Sequence, residues 1–273
     1  MSVSDYGSSQ QISNALVQWG TAKSTIDGPQ PQPFPQNYAC PPSQIAVVTT
    51  RNNGGATAIM PASCTDKSFF TTDRYNEISG TKPFYWLSIG NLSSGSSGTS
   101  VLQGATIQWG TAVSQKDHEE HFDFNDRFKK GCEAVIVCRS DANTKNTFAV
   151  TTADKNGFKV NRNDSVTGDQ NFYWIAIGDT SPNSKACFSF QMGKYTVQGG
   201  TAASKKDATQ AFPFSALGLA SFSKACETVV VNRKSANSRV ILPVVSADRA
   251  EFSIDRNNEI TGDQDFYWIA IGK

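Results

Sequence analysis

Three short stretches of this 273-residue chain set a guanidinium beside side-chain amides and carboxylates. They read Arg74-Tyr-Asn-Glu-Ile-Ser-Gly80, Arg162-Asn-Asp-Ser-Val-Thr-Gly168 and Arg256-Asn-Asn-Glu-Ile-Thr-Gly262, with Asp-Gln following at 169–170 and 263–264. Such groups supply the directed donors and acceptors that sugar hydroxyls need. The candidate carbohydrate-contacting residues are Arg74, Asn76, Arg162, Asp164, Asp169, Gln170, Arg256, Asn258, Asp263 and Gln264. The competing reading is a tight turn whose arginine braces a neighbouring strand, because repetition inside one chain preserves a turn as readily as a site.

Other chemistry finds less material. His118-Glu-Glu-His121 holds both histidines of the chain. It lacks the spacing of a zinc-protease helix and reads as solvated charge in a loop. Histidine acid–base catalysis has no further candidates, and no Gly-x-Ser-x-Gly elbow or phosphate-binding loop occurs. No pair of acids stands out as a glycosidase dyad. The residues therefore point to a non-enzymatic protein without metal or cofactor. Stacking on a sugar is conceivable for Tyr85, Tyr173 and Tyr267 and for the tryptophans, but their alternation in a strand favours core packing. The six cysteines form no Cys-x-x-Cys pair, which argues against zinc. Cys40 and Cys64 lie almost equally far on either side of a turn expected at Asn52-Asn53, and so are candidates for a disulfide across a hairpin.

The elements that position these groups repeat three times. Leu16-Val-Gln-Trp-Gly-Thr-Ala22 returns as Thr106-Ile-Gln-Trp-Gly-Thr-Ala112 and Thr196-Val-Gln-Gly-Gly-Thr-Ala202. Phe84-Tyr-Trp-Leu-Ser-Ile-Gly90 returns as Phe172-Tyr-Trp-Ile-Ala-Ile-Gly178 and Phe266-Tyr-Trp-Ile-Ala-Ile-Gly272. Self-similarity of this kind defines modules. They are expected at 14–90, 104–178 and 194–273, with a polar segment at 1–13, a Gly/Ser linker at 91–103 and a second linker at 179–193. Cys187, Phe188 and Phe190 suggest that the second linker packs on something. Where modules 1 and 2 carry Trp19 and Trp109, module 3 carries Gly199, so a cavity or a different contact is expected there.

Each module reads as all-β. β-branched runs of about five residues end in turn-rich stretches, and no window sustains a helical period. About six short strands per module imply a small antiparallel β-sandwich. The closing strand is apolar on both faces, so burial on both sides is expected. Composition narrows the partners: 25 basic against 24 acidic residues excludes a general polyanion binder such as a nucleic-acid protein. No apolar run approaches the roughly 18 residues of a membrane span, and the opening MSVSDYGSSQQ does not read as a secretory signal.

Gln-Trp-Gly-Thr-Ala, then Phe212-Pro-Phe214, a valine-rich strand and the closing Phe-Tyr-Trp-Ile-Ala-Ile-Gly resemble the C-terminal module of bacteriophage tail-fibre proteins. That module is similar in turn to the H-type lectin domain, a six-stranded sandwich. The resemblance covers nearly all of each module. It implies a virion tail-fibre or receptor-binding protein, assembled in the host cytoplasm, that binds a host surface glycan or receptor and docks on other tail proteins. In H-type lectins the region matching the arginine loops lies near the sugar. Those families usually carry one module per chain and associate as three chains. Three tandem copies imply an intramolecular pseudo-trimer, since linkage raises the effective concentration of neighbouring modules; beads on a string are the alternative arrangement. Two other functions fit the same residues: a structural virion protein of the collar, baseplate or capsid-decoration kind, and a free-standing cellular lectin.

Overall fold

The β-branched and aromatic runs form strands throughout. The computed structural model describes residues 6–52, 60–73, 80–93, 98–115, 118–140, 148–162, 168–205, 208–234, 242–256 and 262–273. Module 1 contains β1 (Tyr6–Ile12), β2 (Ala15–Ser24), β3 (Gln30–Pro33), β4 (Ile45–Arg51), β5 (Ala62–Ser63), β6 (Phe69–Thr72) and β7 (Lys82–Asn91). Module 2 contains β8 (Thr99–Leu102), β9 (Ala105–Ser114), β10 (Glu120–Asp123), β11 (Cys132–Arg139), β12 (Ala149–Ala153), β13 (Gly157–Asn161) and β14 (Gln170–Gly178). Module 3 contains β15 (Cys187–Met192), β16 (Tyr195–Ser204), β17 (Gln210–Pro213), β18 (Cys226–Arg233), β19 (Val244–Ala247), β20 (Glu251–Ile254) and β21 (Gln264–Gly272). The only helical pieces among the described residues are 3-10 turns at Pro42–Gln44 and Ser215–Leu217.

Each module is one four-stranded and one three-stranded antiparallel sheet. The orders in module 1 are β1-β2-β7-β4 and β3-β6-β5, and the other two modules repeat them strand for strand. The seventh strand was not expected. β1, β8 and β15 come from the segments read as a polar tail and as two linkers. Each folds back on the next strand through a two-residue turn: Ser13-Asn14, Gln103-Gly104 or Gly193-Lys194. Positive φ at Ser13 (44°), Gly104 (86°) and Gly193 (63°) makes these turns match the twist of the flanking strands. Physically, these strands occupy what would otherwise be the bare edges of β2, β9 and β16.

A second expectation also fails. β4 and β5 do not form a hairpin: β4 pairs with β7, whereas β5 pairs with β6 in the other sheet. The chain crosses from one sheet to the other between them. Cys40 and Cys64 therefore share no ladder, and both are buried free thiols. The Cys64 thiol instead donates to the Asp66 carbonyl at 3.3 Å.

The closing strands β7, β14 and β21 are buried on both faces, as their sequence implied. One face lies inside the module's own sandwich. In module 1, Trp86 meets Phe70 at 5.3 Å between ring centroids and Phe34 at 6.1 Å. In modules 2 and 3, Trp174 meets Phe158 at 5.5 Å and Trp268 meets Phe252 at 5.1 Å. Gln18, Gln108 and Gln198 of the first repeated motif face the same interior. Their amides clamp the loop that crosses the sheet, at the carbonyls of Gln36 (2.8 Å), Asp126 (2.6 Å) and Ala220 (2.7 Å). The motif is thus explained by structure: a glutamine amide replaces the ladder partners that a crossing loop cannot have.

The other face of each closing strand points to a common axis. Leu87 and Ile89, Ile175 and Ile177, and Ile269 and Ile271 converge with Val17, Ile107, Val197 and Met192 on one small cavity of about 20 Å³. Its lining is wholly apolar, so a cavity of this size stays dry. Equivalent residues from all three modules share one site, which makes the chain a pseudo-threefold particle rather than beads on a string. The contacts run cyclically: β4 packs on β14, β11 on β21 and β18 on β7. One continuous apolar cluster contains residues of all three modules.

Candidate functional site

The arginine loops join β6 to β7, β13 to β14 and β20 to β21. Arg74, Asn76, Asp164 and Asn258 lie outside the described residues. The others separate into two groups. Arg162 and Arg256 are almost fully buried, at 1% and 3% exposure. The guanidinium of Arg162 donates to the carbonyls of Ser114 (3.2 Å) and Gly168 (2.6 Å). Arg256 makes the same pair of bonds, to Ser204 (3.3 Å) and Gly262. Each guanidinium thereby ties the loop to the end of the neighbouring β9 or β16. Gly80, Gly168 and Gly262 have φ of 81°, 102° and 96°, and a β-carbon there would meet nothing. The repeated glycine serves the left-handed turn and not packing. Gln170 and Gln264 are buried at the first positions of β14 and β21. Asp169 and Asp263 are exposed. Of the described candidates, these two carboxylates are the exposed ones.

The other motifs resolve as structural. His121 pairs with Asp123 (3.0 Å), Glu119 with Lys159 (2.8 Å), and Glu120 accepts from the Gln115 amide (2.9 Å). These side chains diverge into separate surface pairs, and the described residues contain no cluster suited to a metal ion. Tyr85, Tyr173 and Tyr267 are buried at module contacts, so they are not stacking platforms. Asp66, Asp154 and Asp248 each turn a carboxylate onto backbone N–H groups of the following turn. The Ser68 hydroxyl, with the Ser68 N–H, holds Asp66 below the usual aspartate range, and the Asn156 and Gly157 N–H groups do the same for Asp154.

The polar residues with the most specific surroundings lie between modules, where their repeat pattern alone does not mark them. Thr50, Cys138 and Asn232 occupy the same register in β4, β11 and β18. Each reaches the preceding module of the cycle. Thr50 Oγ1 accepts the Val231 N–H at 2.9 Å. Asn232 accepts the Val150 N–H (3.2 Å) and donates to the Phe148 carbonyl (3.0 Å). The Cys138 thiol faces the Met60 carbonyl at 3.8 Å. The available signal was a polar or thiol residue two places after Val48, Ile136 and Val230, where the apolar face should continue. Arg51, Arg139 and Arg233 follow these residues and are buried too. Desolvation lowers Arg233 to about 10.

These contacts join the loop-bearing ends of neighbouring modules. Arg51 pairs with Phe84 in register, so β4 ends where β7 begins, and the same holds in modules 2 and 3. The arginine-braced turns of modules 2 and 3 therefore lie toward one end of the pseudo-threefold axis. Residues 102–179 match the family model described as "Putative tail fiber protein gp53-like, C-terminal". Module 2 is similar to a tail-fibre domain. The match begins at the end of β8 and closes just after β14, so it spans nearly the whole second module. No curated protein and no solved structure matches the chain. No helix among the described residues is long and apolar enough to cross a membrane.

Proposed function

We propose that this chain is a phage tail-fibre component that contacts a host surface glycan through the loop-bearing end of its pseudo-threefold particle. The observation that carries the reading is the tail-fibre match of module 2, set in a chain that repeats the module three times. The protein works without catalysis, resides in the virion and docks on other tail proteins. Exposed Asp169 and Asp263 accept hydrogen bonds from sugar hydroxyls, while Arg162 and Arg256 hold the turns that present them. The kinship to H-type lectins belongs to this reading as well.

A glycan array probed with the purified full chain tests it, together with inhibition of phage adsorption by the same protein. Binding that is lost in an Asp169→Ala, Asp263→Ala double variant of unchanged stability supports the proposal. A second reading is a structural virion protein with no sugar site. It is favoured by one observation: Arg162 and Arg256 are buried and donate to backbone carbonyls. Silence on the array, with tight binding to another virion protein, decides for that reading.

A further inference from the structure

The particle has three module junctions, but the chain covalently bridges only two. Residues 92–98 join modules 1 and 2, and residues 179–186 join modules 2 and 3. Modules 3 and 1 meet without a direct linker, and among the described residues that junction carries a set of contacts not repeated at the other two. Glu227 Oε2 accepts the indole N–H of Trp19 at 3.0 Å and the Ser8 hydroxyl at 3.1 Å. Its other oxygen pairs with Lys273 at 3.1 Å. The same ammonium sits 4.7 Å from the ring centre of Tyr195, and that ring meets Trp19 edge-on at 4.6 Å.

The equivalent places at the linked junctions are plainer. Trp109 donates its indole N–H to a backbone carbonyl, that of Gln44, at 3.2 Å. Glu133, the counterpart of Glu227 at the β-bulge that opens β11, meets no indole, because module 3 has Gly199 in that position. Its half-buried carboxyl is pushed up by desolvation and takes the Thr180 N–H at 3.5 Å. A carboxylate satisfied by charge-assisted bonds from two modules is directional, unlike apolar packing. It fixes which surfaces meet where no linker does so.

We infer that Glu227 is the clasp that closes the ring, docking module 3 onto module 1 through Trp19 and Ser8 while Lys273 of its own module holds the other carboxylate oxygen. The proposal is independent of what the loops bind.

Each junction has its own reporter amide. Val231 N–H is held by Thr50 across the 3–1 junction, Val150 N–H by Asn232 across the 2–3 junction, and Cys64 N–H by the Tyr173 hydroxyl (2.8 Å) across the 1–2 junction. Hydrogen exchange at these amides in the full chain tests the clasp. Glu227→Ala leaves an indole N–H and a hydroxyl without their acceptor, and is expected to speed Val231 exchange about tenfold or more. Val150 and Cys64 should keep their wild-type rates. Glu227→Gln, which retains an acceptor oxygen, should give a smaller effect, and Lys273→Ala a smaller one at Val231 alone. The Lys273 variant keeps the test decisive if Glu227→Ala does not fold. Unchanged Val231 exchange in the folded variants, or equal acceleration at all three amides, overturns the proposal.

Discussion

Phe188 on β15 covers Gly199 on the adjacent β16, with its ring tip 2.5 Å from where a β-carbon of Gly199 would stand. In module 1 the same pair is reversed in size: Ser8 lies opposite Trp19. In module 2, Gly98 accepts the Trp109 backbone N–H, and its own β-carbon would collide with Trp109. A large and a small residue have exchanged strands, so the site stays filled in all three modules. Gly199→Trp alone should overpack the junction and cost about 1–3 kcal/mol. Phe188→Ser alone should cost about 3 kcal/mol or more through the cavity it leaves. The double variant should be more stable than the sum of the two predicts, by at least about 0.5 kcal/mol. Denaturant melts of the four proteins measure the coupling, and simple additivity would refute the exchange.

The arginine loops make a sharper prediction than their composition allowed. Because Arg162 and Arg256 donate to buried backbone carbonyls, Arg162→Ala and Arg256→Ala should each destabilise the fold by about 1–3 kcal/mol. Asp169→Ala and Asp263→Ala, at exposed positions, should stay within about 0.5 kcal/mol of the parent. Thermal melts separate the two classes before any ligand is known. An Arg162→Ala protein as stable as the parent would return the guanidinium to the list of ligand contacts.

Much of this architecture was legible because it rests on repetition and alternation. The three modules, the two-sided burial of β7, β14 and β21, and the replacement at Gly199 all follow from aligned residues of the chain itself. The seventh strand was missed because its sequences differ between modules: Tyr-Gly-Ser-Ser-Gln-Gln-Ile in one, Cys-Phe-Ser-Phe-Gln-Met in another. An edge strand is held mainly by backbone bonds, so its side chains diverge with little penalty. The turn glycines Gly104 and Gly193 were the available cue. The Cys40–Cys64 pairing was misjudged for another reason. Sequence shows that the chain turns near Asn52, but not that it changes sheets there. The candidate loops were half legible: a bracing arginine and a binding arginine share one residue pattern, and only burial tells them apart.

The central cavity offers a test of the pseudo-threefold core. Ile107 stands where modules 1 and 3 have Val17 and Val197. Val197→Ile adds one methylene toward a space of about 20 Å³ that already tolerates isoleucine from one module. It should be neutral or stabilising by less than about 1 kcal/mol. Ile269→Ala should cost about 2–5 kcal/mol, because the lining strands are locked by their own ladders and cannot collapse inward. Calorimetry should show one cooperative transition that moves as a unit, since the axial cluster contains residues of all three modules. A separate early transition for module 3 alone would contradict a shared core.

The cysteines predict both reactivity and alkaline behaviour. Burial pushes the thiol of Cys187 up to about 11 and that of Cys64 up to about 12, and it raises Cys40, Cys132, Cys138 and Cys226 as well. The nucleophile is the thiolate, so a thiol reagent at pH 8 should label the native protein slowly and the denatured protein at all six sites. The same shifts fix the sign of the pH dependence. A folded thiol that holds its proton more tightly than the unfolded one stabilises the fold fully below the unfolded value of 9.0. Above it the unfolded state binds fewer protons, so stability falls as pH rises from about 9 toward 11 and 12, where Cys187 and Cys64 ionise in place. Denaturant midpoints at pH 8, 9 and 10 should decline in that order, and replacing Cys187 with Ala should flatten the decline. A midpoint that rises over that range, or rapid labelling of native thiols at pH 8, would show that these side chains are not held as the structure places them.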